Sequence, residues 1–547
     1  MQEKIRNSIE TALRNLGIAS ADFTIGHPED SKNGDFSTNV AMVAAKISKI
    51  NPRDLAEKIA EELRSDLKNS PRSDLLKISK VESAKGFINF YLSPEFFAEK
   101  TEEILKNEYF GKNKNLAGQK IMVEHTDPNP FKEFHVGHLM PNVIGSTIAR
   151  VLEWNGAEVR QACYQGDVGL HVAKAVWALK GGADIKEAYA KGSKEFEENE
   201  ESKKEIEEIN KKIYAKSDKD INEIYRKGRT ASLDYFDSVY KKLGTRFDFF
   251  FFESGVAGFG KEIVEKNVGQ VFEKGEEGAI IFRGEKFDPT LHTRVFVNKE
   301  GLPTYEAKEL GLAQVKYEKY KYDQSVIITG NEINEYFRVL ICAMVQVFPK
   351  LARKTLHFSH GMLRLPSGKM SSRTGEVITA ESLIEEVKKK VKDNESVAIA
   401  SIKYMILRQA IGGDIIFDIE KSVSTEGDSG VYLQYSYARA RSVLEKAKSE
   451  GIKPSADLPS GWQTIELEKL LYRFPEVVEL CAAEFAPHYL AKYLTDLARA
   501  YNSFYGREQI VKHNDPSSPY KVALSQALAR VMRNGLSILG IPAPERM

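Results

Sequence analysis

The sequence has few cysteines and almost no net charge, and both shortages argue against classes of protein. Cysteine occurs only at Cys163, Cys342 and Cys481, and no two of these form a Cys-x-x-Cys pair. We therefore expect neither a disulfide framework nor a cysteine-based zinc site, and the scattered thiols are typical of a reducing cytoplasm. The formal net charge is only +1, so local basic patches would have to hold any nucleic-acid partner.

Signals for membranes and secretion are also missing from the sequence. No stretch approaches the roughly 18 consecutive apolar residues that a transmembrane helix requires. The first residues, MQEKIRNSIETALRNLG, include acids and contain no apolar core of the kind found in signal peptides. We therefore expect a cytoplasmic protein without membrane association.

The length of 547 residues predicts three or four domains. Residues 1–112 combine two amphipathic helical patterns with strand-like segments, which predicts a small N-terminal α+β domain. Residues 113–380 open with the strand KIMVEH, a helix ending at Asn155-Gly156 and a strand over Val159–Tyr164. This βαβ order predicts a parallel sheet. Residues 381–547 have an almost entirely helical pattern.

A charge-dense segment interrupts the α/β region. Residues 183–228 are rich in Lys and Glu and almost free of proline, which predicts a solvated helical insertion. Residues 278–297 then favour β structure before the apolar strand Ser325–Gly330. We therefore place an insertion at around 183–300 within the α/β domain.

The segment PNPFKEFHVGH, Pro128 to His138, is the most informative chemical signal. It lies where a strand gives way to a helix, and the amino end of a helix favours anions. His135 and His138 share one helical face, and Gly137 lets a nucleotide base approach the backbone. These features predict a nucleotide triphosphate site with imidazoles that donate to phosphoryl oxygens. A metal-binding pair or a chance pairing is the alternative.

A second segment, Lys369 to Gly375 (KMSSRTG), follows a Pro-Ser-Gly turn. It predicts a mobile, cation-bearing loop that closes over phosphates and adds positive charge in the transition state. Taken alone, the segment is more typical of a surface loop with ordinary lysines. Its pairing with the histidine segment, in this order along the chain, favours the functional interpretation.

The two segments resemble the HIGH and KMSKS motifs of class I aminoacyl-tRNA synthetases. Other segments resemble the arginyl-tRNA synthetase family in particular, and together they span essentially the whole chain. They are GDFSTN, GFINFYL, Val123-Glu124 with Pro128-Asn129 and Lys132, Gly166-Asp167-Val168-Gly169, GVYLQYSYAR, Thr495-Asp496-Leu497-Ala498-Arg499 and the terminal Pro544-Glu545-Arg546-Met547.

The resemblance implies a multidomain α/β fold: a Rossmann-like parallel-sheet catalytic core, a small N-terminal α+β domain that binds tRNA, and an all-α C-terminal domain that binds the anticodon. It implies that ATP activates L-arginine to arginyl-adenylate, and that the arginyl group passes to the 2′-hydroxyl of the terminal adenosine of tRNA(Arg). Mg²⁺ would accompany the phosphates, no protein metal site is expected, and the family is usually monomeric.

Site residues follow from the resemblance by position. Glu124 would bind the α-amino group or the guanidinium of arginine, which the sequence leaves undecided, and Glu309 could offer a guanidinium a bidentate carboxylate. For Tyr305 and Glu309 the start of an amphipathic helix is the alternative, and for Glu124 an exposed acid at a strand end.

The arginine-binding candidates are Glu124, Asn129, Tyr305 and Glu309. The ATP-binding candidates are Pro128, His135, Gly137, His138, Lys369, Met370 and Ser371. The catalytic candidates are His135, His138, Lys132 and Lys369.

The chain departs from the family pattern at several positions. Ser372 stands where KMSKS has its second lysine, and family members lacking that lysine are thought to use one just before the histidine motif, which is Lys132 here. A plain surface lysine is the alternative. Ile333 and Tyr336 replace the family's Gln and His, Val168 replaces a Trp, and Glu309 is longer than the usual Asp.

The predicted tRNA contacts combine aromatic and basic residues, which can stack on unpaired bases and hold phosphates. For the aromatics of the helical domain, a place in the hydrophobic core is the alternative. The tRNA-binding candidates are Asn39, Phe87 and Asn89 in the N-terminal domain and Tyr435, Arg439, Tyr501 and Arg507 in the helical domain.

Two other functions compete with arginine–tRNA ligation. One is an adenylate-forming ligase of the same fold that acts on a small molecule, which would not need the N-terminal and helical domains. The other is a non-catalytic, synthetase-like tRNA-binding protein, which only the missing KMSKS lysine supports. The presence of His135, Gly137, His138, Lys132 and Lys369 argues against the latter.

Overall fold

The computed structural model describes residues 1–19, 21–69, 77–366 and 378–547. These residues form an N-terminal α+β unit, a central unit around a parallel sheet, and a helical C-terminal unit. No helix in these ranges is both long and apolar enough to cross a bilayer.

The N-terminal unit is built on a four-stranded antiparallel sheet with the strand order β1-β2-β4-β3. Phe36 and Phe90 lie directly opposite each other in the sheet and are fully buried beneath the helices. The strand predicted in GFINFYL is confirmed as β4. The elements are α1 (Gln2–Asn15), β1 (Ile25–Gly26), β2 (Phe36–Thr38), α2 (Val40–Ser48), α3 (Pro52–Asn69), β3 (Ile78–Ala84), β4 (Phe87–Leu92) and α4 (Pro94–Lys106).

The central unit contains a five-stranded, all-parallel sheet with the strand order β12-β11-β5-β6-β7. Its strands and the smaller ones around them are β5 (Lys120–Glu124), β6 (Glu158–Gln165), β7 (Phe249–Phe252), β8 (Glu273–Lys274), β9 (Ile280–Arg283), β10 (Thr293–Val297), β11 (Gln324–Gly330), β12 (Thr355–His360), β13 (Leu363–Arg364) and β14 (Ile415–Ile416). Its helices are α5 (Val136–Trp154), α6 (Leu170–Lys180), α7 (Ile185–Glu198), α8 (Glu200–Ala215), α9 (Lys219–Leu243), α10 (Glu253–Lys266), α11 (Tyr305–Lys319), α12 (Asn334–Val347), α13 (Pro349–Ala352), α14 (Ala380–Lys390), α15 (Glu395–Leu407) and α16 (Ile419–Ser422).

The predicted βαβ unit is confirmed as β5–α5–β6. Val123, in the middle strand, lies opposite Val326 of β11 and Gln161 of β6, so β5 is hydrogen-bonded on both sides. A strand that is covered on both faces of its sheet has a continuous run of apolar residues in its sequence. Four of the five β5 residues are buried, in agreement with this pattern. The carboxyl end of β5 therefore opens at the centre of the sheet edge, where α/β folds bind their ligands.

The charge-dense segment is helical, as predicted, and forms α7, α8 and the start of α9. Ile206, Ile209 and Ile213 have helical spacing and bury one face of α8, while the charged residues occupy the other. The wider insertion predicted around 183–300 needs correction. Phe249–Phe252 within that range is β7, which pairs with β6 in the main sheet, because its aromatic run extends the sheet at its edge.

The helical C-terminal unit packs against both other units. Its longest helix ends at Gly540, where the left-handed backbone (φ +65°) suits glycine. Its helices are α17 (Gly430–Ser449), α18 (Glu466–Leu471), α19 (Phe474–Ala483), α20 (His488–Arg507) and α21 (Ser518–Leu539).

Two buried cations join the carboxyl end of α21 to the central unit. Arg150 Nε on α5 donates to the Ile538 carbonyl at 2.9 Å. Lys403 Nζ on α15 donates to the carbonyls of Gly540 and Leu243, each at 2.6 Å. Burial, together with the Arg150 charge, lowers the pKa of Lys403 to about 7. Because helix carboxyl ends favour cations, these contacts couple the helical unit to the helix that begins at the histidines.

Asp167, in the Gly166–Gly169 segment, ties β6 to two helices. Its side chain is fully buried. It accepts from Arg229 Nε of α9 at 2.8 Å, from the Ser254 backbone N–H of α10 at 2.8 Å, and from the Ser254 hydroxyl at 2.7 Å. Replacing such a carboxylate by a neutral side chain lowers the free energy of unfolding, because the paired cation and the amino end of the helix lose their counter-charge.

We predict that Asp167→Asn lowers the melting temperature by about 5–10 °C, because it leaves Arg229 and the amino end of α10 without a counter-charge. Circular dichroism during heating would measure the shift. Asp237→Asn is the matched control, because its ion pair with Lys241 on α9 is exposed and should contribute about 1 °C or less. Equal shifts in the two variants would contradict the role of Asp167.

Candidate active site

A cavity of about 560 Å³ opens at the carboxyl ends of β5, β6 and β11. Two helix starts, those of α5 and α11, face it together with the loop between β5 and α5. Its wall brings together seven of the residues predicted from sequence, which are Glu124, Asn129, His135, Gly137, His138, Tyr305 and Glu309.

The amino end of α5 presents two stacked imidazoles. His135 is the N-cap of the helix, and its Nδ1 accepts the Gly137 backbone N–H at 3.1 Å. The rings of His135 and His138 stack with centroids 3.8 Å apart. A side chain at Gly137 would collide with the His135 ring, since a Cβ would lie 2.8 Å from it. The motif therefore needs glycine at this position for steric reasons.

The surroundings of both histidines favour the neutral imidazole. Burial, and then the charge of Lys132, lower the pKa of His135. Burial, followed by the neighbouring His135 and Lys132, lowers the pKa of His138 still further. Because Nδ1 of His135 is an acceptor, its proton resides on Nε2, which can donate to a ligand. Nδ1 of His138 is buried and has no hydrogen-bond partner among the described residues.

Two backbone hydrogen bonds join the residues that follow the KMSSRTG segment to the residues around His135. The Val136 N–H donates to the Ile378 carbonyl at 3.0 Å, and the Ala380 N–H donates to the Phe134 carbonyl at 2.8 Å. Lys369, Met370, Ser371 and Ser372 lie outside the described residues.

The loop that leads from β5 to α5 has a strained backbone. Thr126, Asp127 and Phe131 have φ angles of +84°, +43° and +69°, in a region that side chains other than glycine rarely adopt. Thr126 Oγ1 accepts from Asn142 of α5 at 3.1 Å, and the Phe131 N–H donates to a serine of α9 at 2.9 Å. Such strain persists only where surrounding contacts impose it, and it clusters at functional sites.

Lys132 lies in this loop, immediately before the histidines. Its Nζ is 4.4 Å from the ring centroid of Tyr189 on α7, so the charged insertion contributes a cation–π contact. Lys132 does not line the cavity itself, but its charge contributes to the lowered pKa of both His135 and His138. The lysine therefore adds positive potential beside the imidazoles.

The opposite wall of the cavity is rich in carboxyl groups. Five of them belong to partly or fully buried residues, and three of these form short ion pairs. The pairs are Glu124–Lys316 at 2.7 Å, Glu253–Lys308 at 2.6 Å and Glu306–Arg294 at 3.0 Å. Asp127 and Glu309 have no ion-pair partner among the described residues. Burial, followed by the nearby Glu124 charge, raises the pKa of both Asp127 and Glu309 well above normal.

Sequence reasoning missed Asp127 and all the partner cations. Asp127 lies three residues after the end of the buried strand β5, and that position could have indicated it. Lys308 and Lys316 could have been found as lysines on the buried face of α11, but their partners are 55 and 192 residues away. The missed residues at the cavity are Asp127, Tyr164, Glu253, Arg294, Glu306, Lys308 and Lys316.

The other predicted site positions are distributed as follows. Pro128 is buried beneath the loop and does not line the cavity. Ile333 and Tyr336, two departures from the family pattern, do line it. Val168 packs in an apolar cluster with α6 and the insertion helices instead, so its difference from the family does not alter the cavity wall.

Two predicted tRNA contacts need correction. Tyr501 is fully buried in the helical core, because its position on α20 faces inward. Asn89 is buried between strands and accepts from the Ser37 hydroxyl at 2.8 Å. Phe87, Tyr435 and Arg507 are exposed. Asn39 is half-buried, and its side chain accepts the Thr24 N–H at 2.9 Å.

A groove of about 690 Å³ lies on the helical unit, between α17 and the carboxyl end of α20. The Arg439 guanidinium stands over the rings of Tyr435 and Tyr505, at 4.7 Å and 4.9 Å from their centroids. Arg439 Nη1 also donates to Asn502 Oδ1 at 2.6 Å. The C-terminal Arg546 and Met547 complete the wall. An arginine in contact with two exposed rings is suited to nucleic-acid bases and phosphates.

Comparison with known families assigns each unit. The model described as "Arginyl tRNA synthetase N terminal domain" matches residues 3–92. The model described as "tRNA synthetases class I (R), catalytic domain" matches residues 100–416. The model described as "DALR anticodon binding domain" matches residues 433–547.

Similar proteins align along the full chain. An arginine–tRNA ligase of Porphyromonas gingivalis is 28% identical and covers 100% of this chain and 99% of its own. An arginine–tRNA ligase of Bacteroides thetaiotaomicron is 27% identical over 93% of each chain. The Thermus thermophilus arginyl-tRNA synthetase structure shares the fold, with a TM-score of 0.75, 23% identity and 100% coverage of both chains. Because the class I catalytic model matches more than half of the sequence, the chain belongs to the arginyl-tRNA synthetase family of class I tRNA synthetases.

Proposed function

We propose that this protein joins L-arginine to tRNA(Arg) in two steps. A carboxylate oxygen of arginine attacks the α-phosphorus of ATP, the bond to the β-phosphate breaks, and pyrophosphate leaves. The 2′-hydroxyl of the terminal adenosine then attacks the arginyl carbonyl carbon, and AMP leaves. Family membership and the full-length alignment with arginine–tRNA ligases support this reaction.

One observation carries the proposal: the two walls of the cavity have opposite polarity. The stacked histidines, Lys132 and the amino end of α5 favour an anion such as a triphosphate. The carboxyl-rich wall, where Asp127 and Glu309 have no ion-pair partner among the described residues, favours a cation. A ligand pair of ATP and a doubly cationic amino acid matches both walls at once, whereas a neutral small-molecule acid would leave the carboxyl groups uncompensated.

The histidines and Lys132 would act on the phosphates. The proton on Nε2 of His135 can be donated to a phosphoryl oxygen, and phosphate would raise the imidazole pKa by adding negative charge. Lys132 and the Lys369 loop would bring further positive charge as pyrophosphate departs. Gly137 lets the His135 ring lie directly against the backbone at the amino end of α5, where the phosphates would bind.

The arginine subsite would be formed by Glu124, Asn129, Tyr305 and Glu309, which all line the cavity. The raised pKa of Glu309 reflects a carboxyl group without a counter-ion, and a guanidinium would supply one. The Tyr305 ring is available for stacking on a planar cation. Glu124 already bonds to Lys316 through one oxygen.

Mg²⁺ would accompany ATP in this proposal. The described residues contain no group of three or more His, Cys, Asp or Glu that could hold a metal ion, so the triphosphate itself would supply most ligands, as Mg²⁺ commonly prefers. We also propose that the protein is a cytoplasmic monomer, as the family usually is. The Arg439 groove of the helical unit would bind the anticodon, and Phe87 of the N-terminal unit would contact the tRNA elbow.

Aminoacylation with purified protein tests the reaction directly. With ATP, a mixture of tRNAs and each amino acid in turn, only arginine should be attached, and only to tRNA(Arg). Adenylate formation on a small molecule without transfer to tRNA would indicate the small-molecule ligase instead. Tight tRNA binding without either step would indicate a non-catalytic protein.

We predict that Lys132→Ala lowers kcat for arginylation about 100-fold or more, because it removes positive charge beside the developing phosphoryl charge. Affinity for tRNA, measured by filter binding, should change little. Lys186→Ala, which removes an exposed lysine from α7, is the control and should leave both quantities unchanged. An unaltered kcat in Lys132→Ala would remove this residue from the catalytic set.

We predict that Arg439→Gln weakens tRNA binding by about tenfold, because the guanidinium can no longer stack on bases between its two tyrosines. The KM for ATP should not change, since the groove is separate from the catalytic cavity. Lys448→Gln, on the exposed face of the same helix, controls for the loss of one positive charge. Equal weakening in the two variants would show that only net charge matters.

A further inference from the structure

The acids of the catalytic cavity differ in how they are neutralised. Glu124, Glu253 and Glu306 each contact a cation, and their side chains are only 2%, 3% and 8% exposed. Asp127 and Glu309 have no such cation within the described part of the chain, and both retain more accessible surface at the cavity wall. Among the buried and half-buried acids of the wall, Asp127 and Glu309 are therefore the two that a ligand can reach; Glu332, which also lines the cavity, is exposed.

Arginine carries two positive groups, the α-ammonium and the guanidinium, at opposite ends of its side chain. The α-ammonium shares a carbon atom with the carboxylate that attacks phosphorus, so it must bind close to the phosphate site. Asp127 lies in the loop that runs from β5 into the histidine motif, whereas Glu309 lies on a separate helix, α11. The loop thus carries both the phosphate-binding groups and one unpaired carboxyl group.

We propose that Asp127 is a specificity-determining residue that binds the α-ammonium of arginine, while Glu309 binds its guanidinium. This assignment rests on the proposed function and adds a residue that the sequence motifs did not indicate. The Tyr164 N–H donates to Asp127 Oδ1 at 2.7 Å and fixes the side chain against the sheet edge. The strained backbone at Thr126 and Asp127 keeps the residue at this position.

Glu124 is less suited to hold the ammonium alone. Its Oε2 lies 2.7 Å from Lys316 Nζ, and both side chains are almost inaccessible. The Lys316 charge neutralises Glu124, so a second cation placed against the same carboxylate would gain little. Asp127 supplies the uncompensated charge that an incoming ammonium requires.

Proton release should accompany the binding of arginine. Burial and the Glu124 charge raise the pKa of Asp127 and Glu309, so the empty site retains protons to a higher pH than free carboxyl groups do. A bound cation stabilises the ionised forms and lowers these pKa values, so protons leave and affinity rises with pH. The other titratable or charged groups that act on this pair are Glu124 on β5, Cys163 and Tyr164 on β6, Tyr240 on α9, Glu253 on α10, Lys316 on α11 and Tyr336 on α12.

Calorimetric titration with two ligands tests the assignment. L-Arginine is compared with 5-guanidinovalerate, which is arginine without its α-amino group. Asp127→Asn, which keeps an oxygen for the Tyr164 N–H, should weaken arginine binding about 10- to 100-fold and leave 5-guanidinovalerate unaffected. Glu309→Gln should weaken both ligands. Glu335→Gln, an exposed acid of α12, should weaken neither.

The wild-type protein provides a second measurement that does not depend on a variant folding. Titration in buffers of different ionisation enthalpy should show more protons released by arginine than by 5-guanidinovalerate. Equal proton release, or equal weakening of both ligands in Asp127→Asn, would overturn the assignment while leaving arginylation by the wild type intact. A wild type that binds neither ligand would overturn both the assignment and the proposed function.

Discussion

The burial of helix α5 is the constraint on which the rest of this structure depends. Its amino end carries His135, Gly137 and His138, and 15 of its 19 residues are buried between the parallel sheet and the helical unit. Farther along, Arg150 bonds to the carboxyl end of α21. The helix therefore fixes the imidazoles at the sheet edge and joins the catalytic cavity to the nucleic-acid-binding unit through one rigid element.

The cavity derives its chemistry from a separation of charge across a short distance. The α5 side gathers a helix terminus, two imidazoles and Lys132, while on the opposite side Asp127 and Glu309 have no counter-ion in the part of the chain that the structure describes. The described residues leave polar groups on both sides without partners, as the buried Nδ1 of His138 and the raised carboxyl pKa values indicate. Buried polar and charged groups without partners are typical of a site where bound substrates supply those partners.

The sequence predicted elements that have a clear local period better than it predicted contacts between distant residues. The alternation in GFINFYL and the apolar stripe from Leu139 to Val151 indicated β4 and α5, and the histidine motif indicated the cavity. The Glu124–Lys316 pair spans 192 residues, so no local pattern reveals it. Tyr501 and Tyr435 have the same side chain in similar helical surroundings, and only tertiary packing decides that the first is core and the second is exposed.

A structure of the protein with a non-hydrolysable arginyl-adenylate analogue tests the central claim most directly. The account predicts that the group replacing the α-phosphate lies within hydrogen-bond distance of His135 or His138, and that the guanidinium lies against Glu309. An analogue bound with its guanidinium toward the histidines, or bound outside this cavity, would contradict the account.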